Sequence, residues 1–510
     1  MNARVRSAAV DGVDATEVIV ELDATVGLPS WTIVGLAANA VKESRERVNA
    51  ALTNSGFAVP PRRMTVNLAP ADTVKTGTAF DLPIALVLLA ATGQLPQGAL
   101  DDLVIVGELG LDGAIRGVRG MLSIARYADQ LPHQRLFAPA VNLGEAGLVT
   151  SLVHEERLVS CLTLGELVAA LRSRSLAPAQ IPDRRECNTT YDVDFADVVG
   201  QNSAKRALEV SAAGNHPTLL VGPPGSGKTM LAQRIPTILP ALSEEEALEV
   251  IAVQSVAGRL APHTPIPPPR PFRAPHHTIS YAGLVGGGGR LPRPGEVSLA
   301  HLGVLFLDEI PEYSRRALEA LRQPLEDGRV VITRSQRSVT YPARFTLVGA
   351  ANPCPCGHAG DPSVQCRCSM REVSRYRRRL SGPLIDRIDM HVFVGAVPIA
   401  QLGQSPSDAE SSASIRARVE AAREIQRNRY NGVLANGQAS GRWLEANTGV
   451  DADARAMLVR AAKQLGFSAR SYHRVLKVGR TIADLAGEEP ITRAAMGEAL
   501  QYRPPPAPDS

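Results

Sequence analysis

Thr218-Leu-Leu-Val221, running into Gly222-Pro-Pro-Gly-Ser-Gly-Lys-Thr229 and then Met230 to Ile235, is the stretch that decides the fold of this 510-residue chain. Four apolar residues read as a short strand, the octet as a loop and the next segment as a helix. That is the setting in which the pattern G-x-x-x-x-G-K-[ST] binds phosphate. The glycines let backbone N–H groups converge on phosphate oxygens at a helix N-terminus, where the aligned peptide dipoles favour negative charge. Gly222, Pro223, Pro224, Gly225, Ser226 and Gly227, with Met230 behind them, form the expected nucleotide cradle. Lys228 supplies a point charge for the β and γ phosphates, and Thr229 a hydroxyl for Mg²⁺. Only six of the 55 basic residues are lysine and 49 are arginine, so a lysine at this position carries extra weight.

Two more stretches complete such a site. Val304-Leu-Phe-Leu-Asp-Glu309 is an apolar strand ending in two carboxylates, the form of a buried parallel strand whose carboxyl end faces a ligand. Asp308 is expected to hold Mg²⁺ through water, and Glu309 to orient and deprotonate the attacking water. A third strand, Phe345 to Ala350, leads to Asn352, a neutral polar group suited to the γ-phosphate or to positioning water.

The length implies about three domains at ~150 residues each. Hydrophobic residues at 44% and charged residues at 21% exclude wholesale disorder and fibrous rods. A net charge of +4 names no partner, because the arginine excess fits phosphate contacts and coding bias equally well. The longest apolar run, Leu82 to Thr92, is too short for the ~20 residues of a bilayer span, so it reads as a buried helix and no membrane is expected. No leader segment is visible at Met1 to Val10, which makes the cytoplasm the expected compartment. Four of the six cysteines cluster as Cys354-x-Cys356 and Cys366-x-Cys368. In a reducing compartment that clustering favours a structural Zn²⁺, although the C-x-C spacing is tighter than the usual two to four intervening residues; the alternative is reduced buried thiols.

The fold class expected is α/β in three parts. Residues 1–171 alternate strands (Thr16 to Leu22, Met64 to Leu68, Leu103 to Gly107) with helical patterns such as Val41 to Leu52; 172–190 is a linker; 191–398 is the nucleotide domain. Residues 399–502 are helical, over Ile415 to Arg429, Asp451 to Leu465, Ser468 to Leu485 and Thr492 to Leu500, and 503–510 form a disordered tail. Seven prolines between Pro262 and Pro275, followed by Gly286 to Gly289, predict an excursion that no regular element crosses. Gly328 to Tyr341 reads as a β-hairpin whose tip carries Arg334 and Arg337.

The order Asp197-Val-Val-Gly-Gln201, Gly222 to Thr229, Asp308-Glu309 and Asn352 resembles an AAA+ P-loop ATPase. Pro271-Phe-Arg-Ala-Pro-His-His-Thr278, Pro294-Gly-Glu-Val-Ser-Leu-Ala-His301, Leu321-Arg-Gln-Pro-Leu-Glu326 and Asn352-Pro-Cys-Pro-Cys-Gly357 look like its magnesium-chelatase-like branch, over nearly the whole chain. The resemblance implies ATP as the nucleotide, with Val199 among its contacts, and makes 399–502 the lid or C-terminal magnesium-chelatase domain. Gly382-Pro-Leu-Ile-Asp-Arg-Ile-Asp389 looks like the arginine-finger segment, putting Arg387 into a neighbouring subunit's site and implying a homo-hexamer. Ser468-Ala-Arg-Ser-Tyr-His-Arg474 resembles the lid helix with the second sensor, Arg470 being the first choice and Arg474 the runner-up. The hairpin would point into the ring channel, so that Arg334 and Arg337, with His276 and His277, meet a nucleic-acid backbone. The cluster Arg371, Arg375, Arg377, Arg378 and Arg379 suits phosphates or a neighbouring subunit.

Residues 1–171 resemble the proteolytic domain of Lon, but Lys75-Thr-Gly-Thr-Ala-Phe-Asp-Leu82 holds no serine nucleophile and Gly107 to Arg126 no lysine, so the domain is expected to be a scaffold or partner-binding module. The implied activity is an ATPase that drives a DNA helicase on single-stranded and branched DNA. It would promote branch migration during natural transformation, with recombination proteins as partners. The rivals are the ATPase subunit of a magnesium-chelatase complex, which the front domain and the four-cysteine insert count against, and a non-motor assembly switch.

Overall fold

In a computed structural model of the chain the described residues are 2–35, 41, 43–71, 75, 77–182, 191–260, 264, 266–288, 292–334, 337–360, 364–379, 382–397, 409–432 and 435–503. The side chains of Arg334, Arg337 and Arg377, Cys187, the second part of the expected linker (183–190), the start of the third domain and residues 504–510 lie outside that set.

The front third is built on a seven-stranded mixed sheet in the order Ser30–Val34, Arg63–Ala69, Asp14–Thr25, Asn2–Asp11, Leu103–Ile105, Arg135–Phe137 and Leu158–Val159. Val18, Val20, Leu22 and Ala24 alternate inward on their strand, as period-2 geometry requires, and are buried. The expected apolar helix forms over Asp81–Ala91 and packs across the first two strands. The central strand Asn2–Asp11 had no counterpart in the sequence reading; it turns through Gly12 (φ 66°) into its antiparallel neighbour.

The nucleotide domain is a five-stranded parallel sheet in the order Phe272–Arg273, Val304–Leu307, Thr346–Ala351, Thr218–Val221 and Met390–Phe393. Successive residues feed opposite faces. Leu220, Phe306 and Val348 join a core shared with the Asn202–Gly214 and Lys228–Ile238 helices, while Leu219, Leu305, Leu307 and Leu347 pack with Leu284, Val297 and Leu318 on the other side. Burial on both faces is why these strands read as unbroken apolar runs.

The proline-rich segment corrects the expectation that no regular element crosses it. Phe272–Arg273 pairs with Val304 and Leu305 as the edge strand, and Val304 N–H donates to Pro271 O at 2.8 Å. An edge strand is paired on one side only, so prolines flanking it cost no ladder bond. Beyond it lie a short helix, Tyr281–Val285, and a two-residue pairing of Gly286–Gly287 with Arg293–Pro294 that packs on the hairpin. The hairpin itself forms as expected over Arg329–Arg334 and Arg337–Pro342, with Arg334 opposite Arg337 at its end.

The C-terminal part contains the four expected helices, as Ser412–Tyr430, Ala452–Gln464, Ala469–Leu485 and Arg493–Gln501, plus a short one over Gly441–Asn447. They share one hydrophobic core with the nucleotide sheet. Arg503, assigned to the tail from the sequence, stacks its guanidinium on Phe467. Among the described residues no helix is long and apolar enough to cross a membrane.

Candidate nucleotide site

The phosphate loop leaves its strand between two parallel neighbours. A Cβ on Gly222 would lie 2.1 Å from Val394 O, so only glycine allows the loop to pass the strand Met390–Phe393 as it does. Gly225 and Gly227 hold φ of 76° and 87°, and Lys228 opens the helix that follows. The Lys228 ammonium donates to Gly222 O and Pro223 O, both at 2.8 Å, and to Asn352 Oδ1 at 3.3 Å. Burial pushes its pKa down, opposed by the Asp308 and Glu309 charges. Buried Ser226 and half-buried Gly227 back the loop, while Pro224, Gly225, Thr229 and Met230 are exposed.

Thr229 Oγ1 donates to Asp308 Oδ2 at 2.8 Å, and Asp308 Oδ1 accepts from Glu309 N at 2.9 Å. Glu309 sits at φ 49°, ψ 46°, a left-handed conformation that costs a non-glycine residue about 1–3 kcal/mol and tends to mark functional positions. It turns the exposed carboxylate away from the strand toward His277, whose Nδ1 lies 3.6 Å from Glu309 Oε2. His276 lies on His277 with ring centroids 4.1 Å apart, and Tyr313 OH anchors this segment by donating to Pro275 O at 2.5 Å. His277 therefore stands at the acid pair of the nucleotide site.

Lys228, Thr229, Asp308, Glu309 and Asn352 thus converge at the carboxyl ends of the three central strands, where open α/β sheets bind ligands. The donor set fits a nucleoside triphosphate with Mg²⁺. The loop offers N–H groups and an ammonium now resting on carbonyls, and a hydroxyl faces a carboxylate where a hard cation takes oxygen ligands. Val199 is half-buried, and the neighbouring Gln201 is a member the sequence reading missed. Its amide donates to Ser226 O at 3.3 Å and Gly395 O at 2.6 Å, tying the loop to the chain beyond the fifth strand.

Arg387 Nη2 bonds Glu326 Oε1 at 2.5 Å, and the nearby Asp389 bonds His216 Nδ1 at 2.8 Å. Arg470 is exposed on the first turn of its helix, whereas Arg474 is buried 3.7 Å from Asp389 Oδ1. Burial lowers the Arg474 pKa, and the charges of Arg470 and Arg387 push it the same way, so the three guanidinium groups share one neighbourhood. On the helix Met370–Arg379, Arg371, Arg375 and Arg378 are exposed and Arg379 pairs with Glu312 at 3.0 Å.

The four cysteines come together just past Asn352. Their sulfurs all lie within 4.8 Å of one another, with Cys354–Cys356 at 3.3 Å, Cys354–Cys366 at 3.7 Å and Cys356–Cys366 at 3.6 Å. Backbone N–H groups of His358 and Arg367 draw the Cys356 thiol down to about 5.

Residues 194–402 match the family described as magnesium chelatase, subunit ChlI, and residues 409–503 the C-terminal region of that subunit. Residues 20–142 match a family described as subunit ChlI of Mg-chelatase. The chain is 42% identical over 506 residues to Competence protein ComM of Haemophilus influenzae, covering 98% of this chain and 97% of that one. It is 42% identical over 508 residues to YifB of Escherichia coli, itself uncharacterized, covering 98% and 96%. A magnesium-chelatase 38 kDa subunit of Cereibacter sphaeroides is 27% identical over 177 residues, covering 31% of this chain and 52% of that one. The chain belongs to the magnesium-chelatase-like AAA+ ATPases, within the full-length group that includes Competence protein ComM and YifB, and membership implies ATP and Mg²⁺ as ligands and ATPase activity.

Proposed function

We propose that this chain is a ring-forming, ATP-driven motor on DNA, a helicase that promotes branch migration during natural transformation and recombination. The observation that carries the ATPase half is the convergence of Lys228, Thr229, Asp308, Glu309 and Asn352 at the carboxyl ends of the three central strands. Gly222 to Thr229 bind the phosphates, with Val199 beside the nucleotide. Thr229 and Asp308 hold Mg²⁺, which would neutralise charge developing on the phosphates. Glu309 takes the proton of the attacking water, and Asn352 orients that water or the γ-phosphate.

Arg387 answers from the adjoining subunit of a homo-hexamer, with Arg470 as lid sensor. Such a group supplied in trans is worth about 10³–10⁵ in rate. The hairpin bearing Arg334 and Arg337 lines the channel and meets the DNA backbone, and the histidine segment follows the nucleotide state through His277 and Glu309. The front domain is a Lon-like scaffold without a Ser/Lys dyad, and the setting is the cytoplasm. DNA is favoured over a porphyrin partner because the Haemophilus relative that spans the whole chain is named a competence protein, while the chelatase subunit covers 31% of it.

The test is strand displacement. Intact protein with ATP, Mg²⁺ and three-stranded or forked DNA is expected to displace a labelled strand, and Glu309→Gln is not. ATP hydrolysis by the intact protein without any strand movement would leave an ATPase and remove the motor.

A further inference from the structure

The phosphate chemistry makes no use of the four cysteines, yet they occupy the loop that begins beside Asn352 and ends at the helix Met370–Arg379. We propose that their thiolates bind one Zn²⁺ and that this ion clamps the Asn352 loop onto the phosphate loop, so that metal occupancy sets nucleotide affinity.

The spacing fits a single tetrahedral ion. Zn–S bonds of about 2.3 Å put the sulfurs of a tetrahedron about 3.8 Å apart; Cys354, Cys356 and Cys366 lie 3.3, 3.6 and 3.7 Å from one another, and Cys368 within 4.8 Å of all three. A disulfide would bring a pair to about 2.05 Å, so all are reduced. An iron–sulfur cluster spreads its thiolates over several irons and therefore spaces them wider than one ion's coordination shell. Ala359 N–H donates to the buried Cys354 sulfur at 3.3 Å, the kind of outer bond that orients a ligand. Four thiolates leave no open position, which makes the ion structural.

Its consequence follows from what the loop touches. One residue separates Cys354 from Asn352, which accepts from the Lys228 ammonium at 3.3 Å. Inside the loop, Gly357 at φ 86° lies so close to the phosphate loop that a Cβ there would sit 2.5 Å from Pro224 Cδ. At the far end, the helix beginning two residues past Cys368 pairs Arg379 with Glu312 at 3.0 Å, three residues from Glu309. The ion thus cross-links a loop whose ends and middle all abut the nucleotide site. Releasing it frees Asn352 and Pro224 together.

The metal site stands on the sulfurs alone; the effect on nucleotide rests on the reading of Lys228 and Asn352 given above. Full-length protein purified without chelator is analysed for metal by mass spectrometry, then titrated with a fluorescent ATP analogue carrying a methylanthraniloyl group. One zinc per chain is expected. The double variant Cys366→Ser, Cys368→Ser is expected to lose the zinc and bind the analogue about tenfold more weakly, the equivalent of one lost hydrogen bond of about 1.4 kcal/mol.

If the variant fails to fold, wild-type protein stripped with a mercurial and a chelator serves instead. Its analogue affinity is expected to drop and to recover on adding Zn²⁺ alone. Absence of zinc, or visible iron absorbance, overturns the site. Zinc loss with unchanged affinity overturns the clamp. Failure of zinc-loaded wild type to bind the analogue would instead remove the nucleotide reading and leave the metal result standing.

Discussion

Lys228→Met isolates the charge on which the nucleotide site turns. Without nucleotide, the ammonium spends its bonds on Gly222 O, Pro223 O and Asn352 Oδ1. A triphosphate draws the same donors to its oxygens. A charged hydrogen bond is worth about 1.5–3 kcal/mol, and the charge-to-charge contact with phosphate, which methionine cannot make, is set at about 2–3 kcal/mol. Nucleotide affinity should therefore fall about 30- to 150-fold.

The nucleotide-free protein should behave differently. Burial holds the Lys228 pKa below its ordinary 10.5, so the folded state disfavours the charge at neutral pH, and methionine of similar length removes that penalty. The free variant should unfold at the same temperature as wild type or slightly higher. The contrast is read in thermal unfolding with a non-hydrolysable ATP analogue and Mg²⁺. At 100 times the wild-type Kd the analogue stabilises wild type by about 2.7 kcal/mol, and a variant binding 100-fold more weakly by about 0.4 kcal/mol. Affinity within threefold of wild type would refute the assignment of Lys228 to the phosphates.

Glu309→Gln is expected to slow phosphate release about 10²- to 10⁴-fold with nucleotide affinity retained; simultaneous loss of binding would count against a role confined to the water. Arg387→Ala and Glu309→Gln, each inactive alone, should regain part of their phosphate release when mixed, since a mixed ring pairs an intact acid with an intact finger from the next subunit; no recovery would put Arg387 outside the neighbour's site. In Gly349→Ala a Cβ would meet Ile310 Cδ1 at 2.1 Å, directly behind Glu309, so a loss of about 1–3 kcal/mol in denaturant unfolding is expected, with slower hydrolysis. Burial lowers the His391 pKa from 6.5 to about 4, so the unfolded chain takes up the proton first and stability drops as pH falls through that window; His391→Gln should flatten the acid limb of a Tm-against-pH curve.

The nucleotide site was legible because its chemistry is local. A loop of glycines ending in Lys228-Thr229, and a strand ending in Asp308-Glu309, each need only their own neighbours in sequence to be recognised. What escaped depends on distant pairing. Met390–Phe393 completes the sheet by pairing with Thr218–Val221, and nothing in four mixed residues announces that. Gln201 acts through a carbonyl 194 positions away. His276 and His277 read as DNA contacts because of their segment, whereas the edge strand Phe272–Arg273 and the Tyr313 bond bring His277 to Glu309. The Glu244–Ala257 helix did leave a signal in Ser243-x-x-Glu246, the capping box that it forms, and that signal went unread.

That helix is also where the front domain meets the nucleotide domain. Leu122 and Leu148 of the front domain pack on its Ile251 and Ala252, and Gly120 N–H donates to Ser255 Oγ at 2.9 Å. Two residues before Ile251, Glu249 accepts from His301 Nε2 and Arg344 Nη2, both at 2.8 Å, and these bonds hold its carboxyl down at about 2. His301 lies three residues before Val304 and Arg344 two before Thr346, at the entry ends of the strands that deliver Asp308 and Asn352. The same front domain reaches the hairpin, where Gly12 lies so close that a Cβ would stand 2.9 Å from Thr340 O. Packed interiors transmit displacement rather than absorb it. Glu249 therefore links the front domain's docking helix to the entry ends of both strands, and Gly12 links the same front domain to the hairpin.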